Sequence, residues 1–119
     1  MSRSRSRPPE SALPLKPADF HILMVLLRGE LHGYGLMRAV AEESSGRVEL
    51  EVGSMYRLMA RLADEGLIAE SRAERDRNDR RRYYRITEFG RKVARLEAQR
   101  LVDVLGVARR LQLIDSDVG

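Results

Sequence analysis

The chain has 119 residues, 43% hydrophobic and 34% charged, with a formal net charge of +4. This length suits one domain with a modest core and leaves no room for a separate ligand-binding domain. No apolar run approaches the roughly 20 residues of a membrane-spanning helix, and the N-terminus lacks the apolar core of a signal peptide, so we expect a cytoplasmic protein. With no Cys, disulfides and thiolate metal sites are excluded, and two His residues predict no metal site.

The N-terminal residues are basic. Arg3, Arg5 and Arg7 alternate with Ser before two prolines, and residues 1–9 contain no acidic side chain. This composition predicts a disordered basic arm over residues 1–12. A free terminus and an arm that contacts DNA fit this pattern equally well.

Two helices are predicted in the first half of the chain. Pro17 suits a first helical turn, and the apolar run after it predicts a buried helix that stops near Gly29. LHGYG at 31–35 is turn-like. Helical spacing then returns and predicts a second helix that ends at Gly46.

A third helix is predicted after Gly53, with Ser54 as its N-cap and Gly66 at its end. Its apolar side chains recur at helical spacing, which predicts one buried face: Met55, Leu58, Met59 and Leu62. The opposite face carries side chains that are left to contact a partner: Ser54, Tyr56, Arg57 and Arg61.

Two short strands are predicted next, over residues 67–71 and 82–87, with turn residues between them. Tyr83 and Tyr84 alternate across the second strand, and periodicity does not decide which one enters the core. The loop between the strands is rich in arginine and predicts a basic wing whose candidate DNA contacts are Arg75, Arg77, Arg80 and Arg81.

A last helix is predicted from Glu88 to about Gln112, capped by Thr87. Apolar residues recur along its second half at 3,4,3 spacing. A small domain cannot cover so apolar a helix, so we expect a homodimer that uses Leu101, Val104, Leu105, Ala108 and Leu111.

A helix with exposed arginines beside a basic hairpin is the layout of a protein that binds duplex DNA. On this hypothesis Arg57 and Arg61 bond guanine edges or phosphates. Tyr34 either contacts phosphate or fixes the turn, and Tyr56 either donates to phosphate or packs on the second helix. The alternative is a winged-helix module that binds another protein. Neither a nucleophile nor a phosphate loop is recognisable, so we expect no enzyme and no cofactor.

Three motifs in this order and spacing resemble the PadR family of bacterial transcriptional regulators, in its short form: LHGYGLM at 31–37, VGSMYRLMARLADEGLI at 52–68 and RRRYYRITEFGRK at 80–92. The resemblance implies an α+β, mainly α fold: a winged helix-turn-helix domain over 13–87 with a two-stranded wing, a dimerisation helix over 88–114, and a tail over 115–119.

The same resemblance implies a homodimeric repressor that binds an inverted repeat in double-stranded DNA and is released by a small-molecule effector. By position it places Tyr34, Ser54, Tyr56, Arg57 and Arg61 on the DNA side and residues 77–81 in the wing. An effector held by aromatic stacking on the last helix is not expected, because the chain has no Trp and no aromatic residue after Phe89.

Overall fold

Four α-helices and a small antiparallel sheet make up residues 7–71 and 81–115, which the computed structural model describes. In chain order the elements are a 3-10 helix (Pro9–Ala12), α1 (Pro17–Leu26), β1 (Leu31–His32), α2 (Gly33–Glu43), α3 (Val52–Asp64), β2 (Ile68–Glu70), β3 (Tyr83–Ile86) and α4 (Glu88–Arg110). The predicted mainly helical fold with a long C-terminal helix is confirmed.

The core lies where α1 is surrounded by the other elements. Within its ten residues, Ile22, Leu23, Val25 and Leu26 are all buried, so α1 is covered on several sides. The outer helices bury only one stripe each, as amphipathic helices do. The core members from the other segments are Leu36, Val40, Met55, Met59, Leu62, Leu67, Ile68, Tyr84, Ile86, Val93 and Ala94.

The sheet has three strands in the order β1-β3-β2. β3 pairs with β1 through Leu31 and Tyr84, and with β2 through Ile68 and Ile86. β1 was not predicted, because a two-residue strand shows no periodicity and depends entirely on its partner. The alternation along β3 places Tyr84 in the core and leaves Tyr83 half-buried. Burial raises the pKa of Tyr84.

The start of α4 is fixed to the connection between α3 and β2. The predicted cap is confirmed, since the Thr87 hydroxyl accepts from Gly90 N–H at 2.9 Å. The same hydroxyl donates to the Leu67 carbonyl at 3.1 Å. A Cβ at position 90 would overlap that carbonyl oxygen, so only glycine permits this approach.

The start of α3 differs from the prediction that Ser54 is its N-cap. The helix begins at Val52, and Glu51 is the N-cap residue, without a side-chain cap hydrogen bond. Met55 N–H donates to the Glu51 carbonyl at 2.7 Å, which closes a turn before the predicted start. Gly53 lies within this turn without a positive φ and so does not interrupt the helix. Ser54 is an exposed residue of the first turn.

The described part of the N-terminal segment is ordered, contrary to the disorder predicted for residues 1–12. The 3-10 helix packs against α4. The Arg7 guanidinium donates to the Glu65 carbonyl at 2.9 Å and lies 5.0 Å from the centroid of the Phe89 ring. Residues 1–6 lie outside the described residues. Arg7 is therefore a structural contact between this segment and the helices behind it.

A buried carboxylate on α4 completes this attachment. The Glu97 side chain is 3% exposed, pairs with Arg100 at 2.7 Å and accepts from Leu15 N–H at 3.3 Å. The hydrogen bond from Arg100 lowers the pKa of Glu97, although burial opposes this. Glu97 thus stays charged in a core position and connects the N-terminal segment to α4. Nothing in the helical periodicity identified it.

Candidate nucleic-acid interface

One face of α3 is exposed. The buried face of α3 is formed by Met55, Met59 and Leu62. The opposite side carries exposed small and polar residues: Gly53, Ser54, Tyr56, Arg57 and Ala60. Small side chains beside an arginine and a tyrosine allow this helix to approach a groove closely while two long side chains project from it.

Arg57 is exposed on this face. Within residues 7–71 and 81–115 it has no ion-pair or hydrogen-bond partner. Its guanidinium fork is therefore available for the planar acceptors of a guanine edge or a phosphate. A contact between Arg57 and DNA stays a prediction.

Arg61 differs from the prediction that it is free to contact a partner. Its guanidinium bonds both carboxylate oxygens of Asp19, at 2.8 and 3.0 Å, and the Glu65 carboxylate at 3.3 Å. Asp19 lies in the first turn of α1 and its side chain is 6% exposed. Burial disfavours the charged arginine, but these carboxylates outweigh that effect and raise the pKa of Arg61. Arg61 thus joins α3 to α1.

The start of α2 lies beside this face, and two aromatic rings lie near it: Tyr34 of α2 and Tyr56 of α3. Tyr34 is 65% exposed. The Tyr56 ring reaches across from α3, so that a Cβ at position 33 would lie 3.0 Å from the Tyr56 hydroxyl oxygen. Gly33 therefore makes room for Tyr56. Of the two alternatives for Tyr56, the structure shows the packing on α2, while its ring is still 45% exposed and a contact with phosphate stays a prediction.

His32 is a residue of this site that the sequence did not single out. It is the N-cap of α2, and its Nδ1 accepts from Gly35 N–H at 3.2 Å. The ring lies against Gly35, where an added Cβ would be 3.4 Å from the His32 Cε1 atom. The spacing His-Gly-x-Gly could have indicated this arrangement from the sequence, because Gly33 accommodates the Tyr56 ring and Gly35 accommodates the His32 ring.

The residues directly before β3, at the start of the second wing strand, lie in the same region. Arg81 Nη1 lies 3.2 Å from His32 Nε2, and the Arg81 guanidinium is 5.7 Å from the centroid of the Tyr83 ring. Arg82 faces Glu70 across the hairpin at 3.6 Å. The other predicted wing contacts, Arg75, Arg77 and Arg80, lie outside the described residues.

These groups surround one open concavity of about 430 Å³. Its lining is His32, Gly33, Tyr34, Tyr56, Arg81 and Arg82. The lining joins the start of α2, the exposed face of α3 and the base of the wing. A chemical group with several oxygen acceptors and negative charge would match these donors.

The second half of α4 is exposed on several sides. Large apolar residues of this half and of the segment directly after the helix have between 36% and 74% of their surface exposed: Leu101, Val102, Val104, Leu105, Val107, Leu111 and Leu113. Ala108 is half-buried. This patch contains all five predicted dimer residues, and a contiguous apolar patch of this kind is typical of an interface.

Two classes of site have no counterpart in the described parts of the chain. No three His, Asp or Glu side chains there are grouped so that they could hold a metal ion. None of the helices in residues 7–71 and 81–115 is both long and apolar enough to cross a membrane.

Comparison with known families decides which group of proteins shares this arrangement. The model of the transcriptional regulator PadR-like family matches residues 22–96. The chain belongs to the PadR-like family. This match covers the second half of α1, all of α2 and α3, the wing and the first part of α4, and so includes the residues that line the concavity.

Solved PadR-like structures resemble the chain over most of its length. A PadR-family regulator from Eggerthella lenta is 33% identical over 80% of this chain and 84% of its own, with a TM-score of 0.59. A PadR-like regulator from Bacillus cereus is 25% identical over 82% and 92%, with a TM-score of 0.66.

A third structure includes nucleic acid. Bacillus subtilis PadR, determined in complex with operator DNA, is 24% identical over 67% of this chain and 46% of its own, with a TM-score of 0.57. This likeness establishes a shared fold. The search of curated proteins found no significant match.

Proposed function

We propose that this PadR-like protein is a homodimeric, sequence-specific repressor that binds an inverted repeat in double-stranded DNA. The observation that carries the proposal is the exposed face of α3, where Arg57 and Tyr56 project beside the base of a basic wing. A helix with this face enters the major groove, and small neighbours let its backbone come close.

Each element has its own part in the proposed complex. Arg57 contacts a base edge, while Ser54 and the hydroxyls of Tyr34 and Tyr56 contact the sugar-phosphate backbone of the DNA. The wing arginines Arg75, Arg77, Arg80 and Arg81 supply sequence-independent affinity through phosphates or the minor groove. Arg61 is not included, because Asp19 and Glu65 already occupy its guanidinium.

The exposed half of α4 supports the dimer. Two copies that cover this apolar patch bury side chains which one domain leaves in water. A twofold axis through such a pair places the two α3 helices on one face of DNA, and half-sites about 34 Å apart fit successive major grooves. An inverted repeat is the sequence symmetry that such a dimer requires.

Release by a small molecule is the regulatory part of the proposal. A groove of about 320 Å³ runs between α1 and α4, lined by Phe20, Met24, Leu27, Arg91, Ala94, Arg95 and Ala98. Its lining is mainly apolar with two arginines, which suits an apolar ligand with an acidic group. The cytoplasmic location expected from the sequence stays a prediction.

Selection of bound fragments from a random DNA pool, followed by a gel-shift salt series, tests this function. We expect a palindromic site and an affinity that falls steeply with salt. Arg57→Ala should lose about 1–3 kcal/mol on the selected site and much less on random DNA, because it removes a base contact. Absence of duplex binding at about 50 mM salt would instead favour a protein-interaction module.

A further inference from the structure

The direction of α4 relative to α3 depends on elements that contact both helices. In the described part of the chain, α4 packs mainly on α1 and on the 3-10 helix, and α3 is not among its main neighbours. The junction at Gly90 fixes only the first turn of α4. A long helix that is held at one end needs a second attachment farther along its length to have one direction.

The N-terminal segment contacts both helices. Arg7 donates to the Glu65 carbonyl, at the C-cap of α3, and its guanidinium lies over the Phe89 ring of α4. Farther along the segment, Leu15 N–H donates to the Glu97 carboxylate of α4 at 3.3 Å. From Phe89 to Glu97 the helix rises about 12 Å. The segment therefore holds α4 at two well-separated levels.

The first turn of α1 returns the connection to α3. Asp19 accepts two hydrogen bonds from Arg61, at 2.8 and 3.0 Å. Arg61 also bonds the side chain of Glu65, the residue whose carbonyl accepts from Arg7. The carboxylates of Asp19 and Glu97 are both buried, so each is stable only while its partners stay in place. Residues 7–19 thus join the end of α3 to α4 through contacts that tolerate little displacement.

We propose that residues 7–19, the N-terminal clamp, fix the angle between α3 and α4, and that this angle determines which half-site spacing the dimer accepts. Arg7 and Glu97 are its positioning residues. This inference rests on the proposed function, in which α3 contacts a half-site and α4 joins the two copies. The clamp precedes residues 22–96, so the match to the family model assigns it no role.

Spacing selectivity follows from the stiffness of this connection. One base pair inserted between the half-sites moves the second site by about 3.4 Å and rotates it by about 35°. A dimer with a fixed angle between α3 and α4 cannot follow this change and loses the advantage of two linked contacts. A dimer with a loose angle adapts to the altered site. It also holds its second α3 less precisely at the correct site and binds that site more weakly.

The angle itself can be measured without DNA. The chain has no cysteine, so two added thiols can carry spin labels: Ala60→Cys on the exposed face of α3 and Arg110→Cys at the end of α4. Dilution with unlabelled protein leaves only the distance within one chain. We expect a narrow distribution of distances that broadens in Arg7→Ala and in Glu97→Ala. Equal widths in the unaltered protein and both variants would overturn the clamp.

Operators with one base pair added or removed between the half-sites test the consequence for binding. We expect Arg7→Ala and Glu97→Ala to reduce the preference for the optimal spacing by about tenfold, because the linkage of the two half-sites becomes less precise. Affinity for an isolated half-site should change by less than about threefold, since the exposed face of α3 is unaltered. An unchanged spacing preference in both variants would contradict the inference.

Three control variants separate the clamp from charge and from stability. Lys92→Ala removes an exposed positive charge from α4, as a match for Arg7→Ala. Glu10→Ala removes an exposed carboxylate from the clamp itself, as a match for Glu97→Ala. Val40→Ala leaves a cavity in the core on α2 and lowers stability. All three should keep the narrow distances and the spacing preference. A loss of spacing preference in Val40→Ala as large as in the clamp variants would refute a specific role of the clamp.

The double variant of Arg7 and Glu97 should lose little more spacing preference than either single variant, because the clamp acts only when both ends are held. If the unaltered protein binds no duplex, the proposed function fails and the spacing claim fails with it, while the label distances still test the angle. If it binds and the clamp variants keep the spacing preference, only the clamp inference is wrong. Should Glu97→Ala not fold, the half-buried Arg7 carries both tests, because its removal leaves the core unchanged.

Discussion

Two arginines one helical turn apart on α3 are in different environments. Arg57 faces solvent, whereas Arg61 pairs with the buried Asp19. Arg61→Ala should lower the free energy of unfolding by about 1–3 kcal/mol, because it leaves the Asp19 carboxylate buried without its partner. This loss is smaller than for a fully buried ion pair, because the Arg61 side chain is 39% exposed to solvent. Urea unfolding measures this change.

Arg57→Ala is the control for this comparison. Because Arg57 is exposed, its substitution should change the free energy of unfolding by less than about 0.5 kcal/mol, while the affinity for operator DNA falls as described above. At conditions where both variants are folded, Arg61→Ala should bind operator nearly as well as the unaltered protein. Equal stability of the two variants would contradict the structural role of Arg61.

At the scale of elements, the contact between the start of α4 and the connection from α3 to β2 sets where the long helix projects. Gly90→Ala should lower the free energy of unfolding by about 1–3 kcal/mol, since its Cβ meets the Leu67 backbone, which cannot rotate away. Thermal and urea unfolding both report this loss. The physical cause is overpacking against backbone at a helix-strand junction.

Gly53→Ala makes the same chemical change where space is open. Nothing lies within 4 Å of an added Cβ at position 53, and alanine is the better helix former. We expect this variant to be as stable as the unaltered protein or more so. If Gly90→Ala were equally harmless, α4 would not be held at this junction as the structure indicates.

At the scale of the whole molecule, the exposed half of α4 is expected to join two copies. Leu105 is 45% exposed and lies outside the core, so Leu105→Glu should leave the fold of each chain intact while it places a charge in the dimer interface. Sedimentation velocity should show a monomer. Operator affinity should fall by at least about a hundredfold, because the two half-sites are no longer bound by linked domains.

Gln99→Glu adds the same charge to an exposed, polar position of α4, next to Asp103. Its cost should be a few tenths of a kcal/mol, and the protein should remain a dimer. A monomeric state of the unaltered protein at micromolar concentration would refute the dimer directly. Loss of the dimer in both variants would show that charge on α4, rather than the apolar patch, controls association.

Much of the fold could be predicted from short-range patterns. The buried stripe of α3 and the Thr87 cap follow from interactions within one or two turns, so neighbouring residues suffice to identify them. The start of α3 was misplaced because Ser54 is a good cap in isolation, while the actual first turn closes on Glu51. The 3-10 helix was missed because its order depends on contact with α4.

The hydrophobic spacing, the capping residues and the concentration of arginines were enough to predict a winged helix-turn-helix with a long C-terminal helix, because each acts over a few residues. The partners of individual side chains depend on distance in space. Arg61 meets Asp19 42 positions away, and Arg81 meets His32 across 49 positions. No local pattern contains such pairs, so only the packed chain could show that Arg61 is a structural link and that His32 faces the wing.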